Sequence, residues 1–120
     1  MNVTGHRSER IAEEIRNEVS LMLAGELKDP RLANGINVTE VRVAPGLKHV
    51  RVYVEIIGSD ADRQDTLDGL TAASGFIRHE LVERLRLRRA PEVSFIADRS
   101  EEYGQRIEDL LKESKHSEEP

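Results

Sequence analysis

The chain has 120 residues, 38% of them apolar, and a net charge of −5, which suits a single domain with a modest core. It contains no cysteine, so disulfide bonds, zinc–thiolate sites and cysteine nucleophiles are excluded. No apolar run approaches the roughly 20 residues of a membrane span, and residues 1–10 lack a secretory hydrophobic segment. We therefore expect a cytoplasmic protein that has no membrane partner.

The first half of the chain predicts one helix and two strands. Apolar residues recur at helical spacing over residues 7–27, and Pro30 cannot continue that helix. Residues 36–44 are rich in β-branched side chains, but their alternation slips at Thr39-Glu40, which indicates a β-bulge. Residues 50–56 alternate strictly between apolar and polar side chains, which is the strongest strand pattern in the sequence.

The second half predicts a helix pair, a third strand and a last helix. Residues 61–89 keep one apolar stripe at helical spacing, although Ala73-Ser74-Gly75 places a poor helix former in the middle. We expect the helix to break there into two. A strand follows Pro91, and a helix is predicted after it over residues 98–111. Residues 114–120 have the composition of a disordered acidic tail.

Charge is distributed unevenly along the sequence. Residues 60–68 contain four Asp and one Arg, whereas residues 78–89 contain five Arg and two Glu. A protein that is acidic overall can therefore present a basic face. Cations beside the backbone N–H groups of a break between two helices would suit a phosphate ligand. The alternative is a helix that bends only for packing, with its arginines solvated.

This order of elements makes an α+β sandwich and resembles the type II KH-like fold: helix, strand, strand, helix, kink, helix and strand, here with an additional C-terminal helix. Four segments resemble ribosome-binding factor A of bacteria, in the same order and at similar spacing. They are Leu27-Lys28-Asp29-Pro30-Arg31-Leu32, Val38-Thr39-Glu40-Val41-Arg42-Val43, Leu47-Lys48-His49-Val50-Arg51-Val52-Tyr53-Val54 and Pro91-Glu92-Val93-Ser94-Phe95. The resemblance runs from about Arg7 to Leu111 and implies one KH-like RNA-binding domain over residues 1–113.

The resemblance also implies a function. Members of the family carry an Ala-x-Gly kink where ordinary KH domains carry a Gly-x-x-Gly loop, and Ala73-Ser74-Gly75 matches that kink. The implied activity is binding to free or immature small ribosomal subunits, with help in the late maturation of small-subunit ribosomal RNA. The expected partners are the small subunit and its RNA, bound by a monomer. Two departures from the family are Gly46, where an acid is usual, and the short acidic tail.

The residues expected to bind RNA are the small residues of the kink together with selected cations. They are Arg7, Arg10, Lys48, Ala73, Ser74, Gly75, Arg78, Arg88 and Arg89. Base stacking is expected to contribute little, since Phe76 and Phe95 are assigned to the core. The role of three further arginines stays open between structural ion pairs and RNA contacts: Arg31, Arg42 and Arg51.

No enzyme is predicted. The sequence has neither a P-loop motif nor a Gly-x-Ser-x-Gly nucleophile elbow. The segment His79-Glu80-Leu81-Val82-Glu83 starts like a zinc motif but ends in Glu, and no metal or other cofactor is expected. Two alternatives remain: a KH-like module whose arginines bind an acidic protein, and a small enzyme of unknown type. Nuclease sensitivity of the association with ribosomal particles would separate RNA binding from protein binding.

Overall fold

A computed structural model of the chain describes residues 3–32, 35–98 and 110–111 and shows a mixed α+β fold. The main helices and strands of these residues are α1 (Val3–Leu21), β1 (Ile36–Val43), β2 (His49–Ile56), α2 (Asp60–Leu85) and β3 (Glu92–Ala97). A π-helical turn continues α1 over Met22–Glu26, and 3-10 turns precede β1 and β2 at Pro30–Leu32 and Pro45–Leu47. The predicted C-terminal helix lies outside the described residues except for Leu110 and Leu111, which are helical, and the acidic tail lies wholly outside them.

The described strands form one sheet in the order β1-β2-β3. β1 pairs with β2 in the antiparallel direction, and β3 pairs with β2 in the parallel direction. The register shifts between Val38 and Glu40, which confirms the predicted β-bulge. Because β3 runs parallel to β2, the chain must return from one end of the sheet to the other between them, and α2 makes that crossing.

One face of the sheet carries the core. The side chains of Val50, Val52 and Val54 are fully buried on that face, as the alternation over residues 50–56 predicts. α1 packs against β1 and α2 packs against β3, each with an apolar stripe toward the sheet. The fully buried residues of these stripes include Ile15 and Val19 in α1 and Leu70, Ile77 and Leu81 in α2. The alternate side chains of β2 point to the other face, away from the core.

The predicted break in the second helix is wrong. α2 continues through Ala73-Ser74-Gly75 as one helix of 26 residues, and Gly75 keeps a helical backbone. Ser74 donates its hydroxyl to a carbonyl one turn earlier at 2.7 Å, so its polar group is satisfied within the helix. Leu70 and Ile77 are buried on either side, and burying one such side chain is worth about 1.5–3 kcal/mol, more than the cost of about 1 kcal/mol for an interior Gly. Packing on the sheet therefore holds both halves in a single helix.

Candidate nucleic-acid interface

The end of α2 sets the direction in which the arginine-rich segment leaves the helix. Arg86 adopts a left-handed conformation, with φ 53° and ψ 48°, and caps the C-terminus of α2. The N–H of Leu87 donates to the carbonyl of Val82 at 3.1 Å and completes this cap. Arg88 and Arg89 then lie in the exposed turn that leads to β3.

Two segments that are far apart in the sequence meet in a surface groove of about 470 Å³. The first is the turn before β2, where Gly46 and Leu47 have positive φ values of 75° and 56°. The second is the turn before β3, and the N–H of Glu92 joins the two segments by donating to the carbonyl of Lys48 at 2.9 Å. The residues that line this basic groove are Gly46, Leu47, Lys48, Arg88, Arg89, Ala90 and Glu92.

The basic groove brings together three of the predicted RNA-binding cations, Lys48, Arg88 and Arg89, and all three are exposed. Glu92 is the acid among the lining residues, and its carboxylate lies 3.3 Å from the guanidinium of Arg78. Within the described part of the chain, no carboxylate pairs with the three groove cations. Such a group of unpaired cations suits a ligand with several phosphate groups, because charge-assisted hydrogen bonds to phosphate are strong.

Arg78 holds one wall of the basic groove in place. Its Nε atom donates to the carbonyl of Pro91 at 2.8 Å, and its ion pair with Glu92 ties α2 to the first residue of β3. Pro91 is fully buried, so the turn before β3 is fixed on both sides. These bonds engage most of the Arg78 guanidinium within the protein. Direct contact of Arg78 with phosphate stays a prediction, while its positioning of the turn is visible in the structure.

The segment Ala73-Ser74-Gly75 lies on α2 one helical turn before Arg78. Its first residue, Ala73, packs against the core. Gly75 is exposed, and apart from the adjoining residues of the helix no atom of the described residues lies within 4 Å of the position that a Cβ atom would take there. The neighbouring Phe76 is 47% exposed, so its assignment to the core is wrong. Phe76 lies about 100° around the helix from the buried Ile77, and this rotation takes it off the apolar stripe. Gly75 and Phe76 thus form an exposed patch on α2.

α1 carries the two N-terminal cations of the predicted site. Arg10 is exposed, and the side chain of Arg7 lies outside the described part of the structure. α1 packs against β1, which is separated from β3 by β2. Among the described residues of α1, none lines the basic groove. The structure therefore does not join Arg10 to the groove cations.

Two of the three arginines whose role the sequence left open form structural ion pairs. Arg31 Nη2 lies 2.6 Å from Asp29 Oδ2, and its backbone N–H donates to Oδ1 at 2.9 Å. The side-chain hydrogen bonds from Arg31, followed by that backbone bond, lower the pKa of the Asp29 carboxyl. Arg42 Nε lies 2.9 Å from Glu40 Oε1 within β1, and its guanidinium lies 5.3 Å from the centroid of the Tyr53 ring.

Comparison with known proteins places the chain among its relatives. A family model described as ribosome-binding factor A matches residues 7–111, which include both segments of the basic groove. The chain belongs to the ribosome-binding factor A family. A ribosome-binding factor A of Caldanaerobacter subterraneus is 42% identical to it over 108 residues, which make up 90% of this chain and 88% of that protein. The resemblance drawn from the four sequence segments is thereby confirmed.

Solved structures of the ribosome-binding factor A family have the same fold. The NMR structure of a candidate member from Thermotoga maritima is 29% identical, with a TM-score of 0.66, and the match covers 75% of this chain and 85% of that one. A ribosome-binding factor A of Thermus thermophilus, fitted as a homology model into a cryo-EM map of a complex with 30S, is 28% identical, with a TM-score of 0.54. That match covers 72% of this chain and 93% of the Thermus chain.

The sequence pattern predicted Lys48, Arg88 and Arg89 as RNA-binding cations, but it did not predict that they line one groove. Lys48 and Arg88 meet because His49, at the start of β2, pairs in register with Glu92, at the start of β3. No local motif encodes a parallel pairing between two residues that lie 43 positions apart in the sequence. In the described part of the chain, no group of three or more His, Cys, Asp or Glu residues is arranged to hold a metal ion. None of the described helices has the length and apolar composition of a membrane span.

Proposed function

We propose that this chain is a non-catalytic RNA-binding factor that associates with free or immature small ribosomal subunits and assists the late maturation of small-subunit ribosomal RNA. The observation that carries the proposal is the convergence of Lys48, Arg88 and Arg89 in the basic groove. Membership of the ribosome-binding factor A family supports it, as does the Thermus relative fitted into a 30S complex. We expect the protein to act in the cytoplasm as a monomer.

The groove suits recognition of phosphates and of RNA shape more than reading of bases. Its lining includes the flexible cations Lys48, Arg88 and Arg89, which can reach phosphate oxygens, and no aromatic side chain of the described residues lines it. Phosphate contacts fix the position of a protein on RNA without sequence information, which fits the surface of a folded ribosomal RNA. The exposed patch of Gly75 and Phe76 lies one turn from Arg78, and we propose it as a neighbouring surface for close RNA approach on a KH-like frame.

The proposal is tested by co-sedimentation with purified small subunits over a series of salt concentrations. We expect the wild type to bind free small subunits, to bind fully assembled ribosomes weakly, and to lose affinity steeply as salt rises. The double variant Arg88→Gln/Arg89→Gln should reduce the slope of log affinity against log salt by up to about 2 if both side chains contact phosphates. Because both side chains are exposed, we expect this variant to fold like the wild type, and circular dichroism checks this.

The matched control removes two cations that lie outside the groove, Arg16→Gln/Lys28→Gln. It should bind small subunits with the salt slope of the wild type. Equal slopes for the wild type and the groove variant would remove Arg88 and Arg89 from the interface. No binding by folded wild type at any salt concentration would overturn the proposed function itself. Association that survives nuclease digestion of the RNA would instead indicate a protein partner.

A further inference from the structure

The second face of the sheet carries cations that the basic groove does not use. On β2, the residues that alternate with the buried valines include His49, Arg51 and Tyr53. In the neighbouring strands, Arg42 lies opposite Arg51 on β1, and Ser94 lies opposite Arg51 on β3. Paired residues of adjacent strands point to the same side of a sheet, so these side chains share the face that is turned away from the core.

Two like charges oppose each other on this face. Arg42 and Arg51 are directly paired in the antiparallel register, an arrangement that is unfavourable unless the charges are compensated. Arg42 is compensated, because Glu40 lies 2.9 Å away and the Tyr53 ring lies beneath its guanidinium. Arg51 is exposed and, within the described residues, has neither an ion pair nor a side-chain hydrogen bond. Arg51 is therefore the uncompensated charge of the pair.

A concave site surrounds this charge. A pocket of about 210 Å³ is lined by Arg42, Val43, Ala44, His49 and Arg51. Its volume is about seven times the roughly 30 Å³ that one water molecule occupies in the liquid, which leaves room for a small hydrated anion. The His49 ring is held in place, because its Nε2 atom lies 2.9 Å from Ser94 Oγ. The site thus has a fixed ring, a paired arginine and an unpaired arginine.

The acids of the described residues do not neutralise the pocket. Glu40 is engaged by Arg42, and Glu92, opposite His49, is engaged by Arg78. Glu55 lies on the same strand as Arg51 but four residues further along it, near the other end of the sheet. The chain also leaves β3 at that other end, where the N–H of Asp98 donates to the carbonyl of Val54 at 2.7 Å.

We propose that this open-face pocket binds a phosphate group of an RNA backbone, with Arg51 as its main ligand. The basic groove and the open-face pocket are adjacent, since Lys48 lines the first and His49 lines the second. One RNA strand that passes over the start of β2 therefore contacts both sites. The assignment of the phosphate to ribosomal RNA rests on the proposed function. The proposal of a phosphate site depends on the geometry of the pocket alone.

The site is tested first with inorganic phosphate. In an NMR titration of the full chain at constant pH and ionic strength, phosphate should cause saturable shifts of the amides of Arg42–Ala44 and His49–Arg51. Arg51→Gln should weaken phosphate binding at these amides at least tenfold, while Arg51→Lys, which keeps the charge, should weaken it less. The control Lys28→Gln should titrate like the wild type. Absence of saturable shifts, or identical titrations of wild type and Arg51→Gln, would overturn the site.

The RNA assignment is tested with small subunits. Arg51→Gln should reduce the salt slope of co-sedimentation by about 1, on top of the reduction caused by the groove variant, because one more phosphate contact is lost. A phosphate titration that depends on Arg51 together with an unchanged salt slope would mean that the pocket takes free phosphate, and the RNA assignment would be wrong. If Arg51→Gln weakens binding to small subunits and the groove variant does not, RNA binding by the basic groove would be wrong. RNA binding by the open-face pocket would be supported.

Discussion

Replacement of Gly75 is expected to have opposite effects on stability and on binding. The backbone of Gly75 is helical, and a Cβ atom added there would have no neighbour within 4 Å in the described part of the chain. Gly75→Ala should therefore stabilise the fold by about 0.5–1 kcal/mol, because Ala has the higher helix propensity. Thermal unfolding followed by circular dichroism should show a midpoint that rises by a few degrees. A lower midpoint would mean that the glycine relieves a strain which the structure does not show.

Gly69 is the matched control for Gly75 on the same helix. It is buried, and a Cβ atom there would lie 3.1 Å from Arg31 Cβ and 3.1 Å from Leu32 Cδ2. Both neighbours belong to the Pro30–Leu32 turn, which packs against α2 and cannot move freely. Gly69→Ala should therefore lower the melting midpoint in spite of the same gain in propensity. Binding to small subunits distinguishes an effect on function from an effect on stability. If RNA approaches Gly75 closely, Gly75→Ala should bind small subunits more weakly than the wild type, although its melting midpoint is higher.

The two wrong predictions for α2, a break at Gly75 and the burial of Phe76, have a common cause. The break at Gly75 was predicted from helix propensity, which is a weak term beside the burial of Leu70 and Ile77. The burial of Phe76 was predicted from its residue type, although its angular position beside Ile77 takes it off the apolar stripe. In both cases the position of the residue relative to the sheet decided the outcome, and residue type alone did not report that position.

At the scale of elements, the start of α2 is fixed by a reciprocal cap. The N–H of Asp62 donates to Ser59 Oγ at 3.1 Å, and the N–H of Ser59 donates to Asp62 Oδ2 at 2.9 Å. Two of the four aspartates between residues 60 and 68, Asp60 and Asp62, lie in the first turn of α2, where a negative charge favours the helix N-terminus. Local capping signals, β-branched alternation and the β-bulge were all predictable, since each depends on neighbours within a few residues.

The same cap predicts a dependence of stability on pH. Hydrogen bonds from the backbone N–H of Ser59 and then from its hydroxyl lower the pKa of Asp62 below its ordinary value of 3.8. A lowered carboxyl pKa contributes stability that is present above the ordinary value and is lost as the pH falls through the folded-state pKa. Arg31 lowers the pKa of Asp29, so the contribution of Asp29 to stability is also lost as the pH falls. We expect the urea concentration at the midpoint of unfolding to stay constant from neutral pH down to near pH 4. At lower pH this midpoint should decrease.

Variants assign this acid sensitivity to the cap. Ser59→Ala should lower stability at neutral pH by about 1 kcal/mol, the usual cost of losing an N-cap. Asp62→Asn should lower stability at neutral pH and should also flatten the decline on the acid side, because the titrating group is gone. Chemical unfolding at several pH values from neutral to about 2.5 measures both effects. An Asp62→Asn variant with the full acid-side decline of the wild type would exclude Asp62 as its source.

In the molecule as a whole, ion pairs join helices that lie far apart in the sequence. Arg84 of α2 is bonded to Glu26 of the π-helical turn, to Glu18 of α1 at 3.1 Å and to Glu80 at 3.1 Å, and these bonds raise its pKa. This arginine, counted by sequence analysis among the basic run, is therefore structural. Among the described residues, the groove cations near the same end of α2 have no such carboxylate partners. The packing of α1 on α2 and the pairing of β2 with β3 therefore distinguish the two kinds of arginine.

The fold also separates charge along the length of α2. The acids Asp65 and Asp68 lie in its first half, about 26–30 Å from Leu85 at a rise of 1.5 Å per residue, whereas the groove cations Arg88 and Arg89 follow its end. Repulsion between these acids and a bound RNA should be screened at physiological ionic strength, where the Debye length is about 8 Å, and felt at about 0.01 M, where it is about 30 Å. Asp65→Asn/Asp68→Asn should therefore leave affinity unchanged within about twofold near 0.15 M salt and increase it at the lower concentration.

A short RNA hairpin, which stays folded without magnesium, allows this comparison at both ionic strengths by fluorescence anisotropy. The groove variant Arg88→Gln/Arg89→Gln should lose affinity at both ionic strengths, because it removes two cations of the groove in which we propose that RNA binds. The acid-end variant should differ from the wild type at low salt alone. If the acid-end variant bound more weakly at either salt concentration, RNA would have to contact the start of α2, and the assignment of binding to the end that carries the groove and the open-face pocket would be wrong.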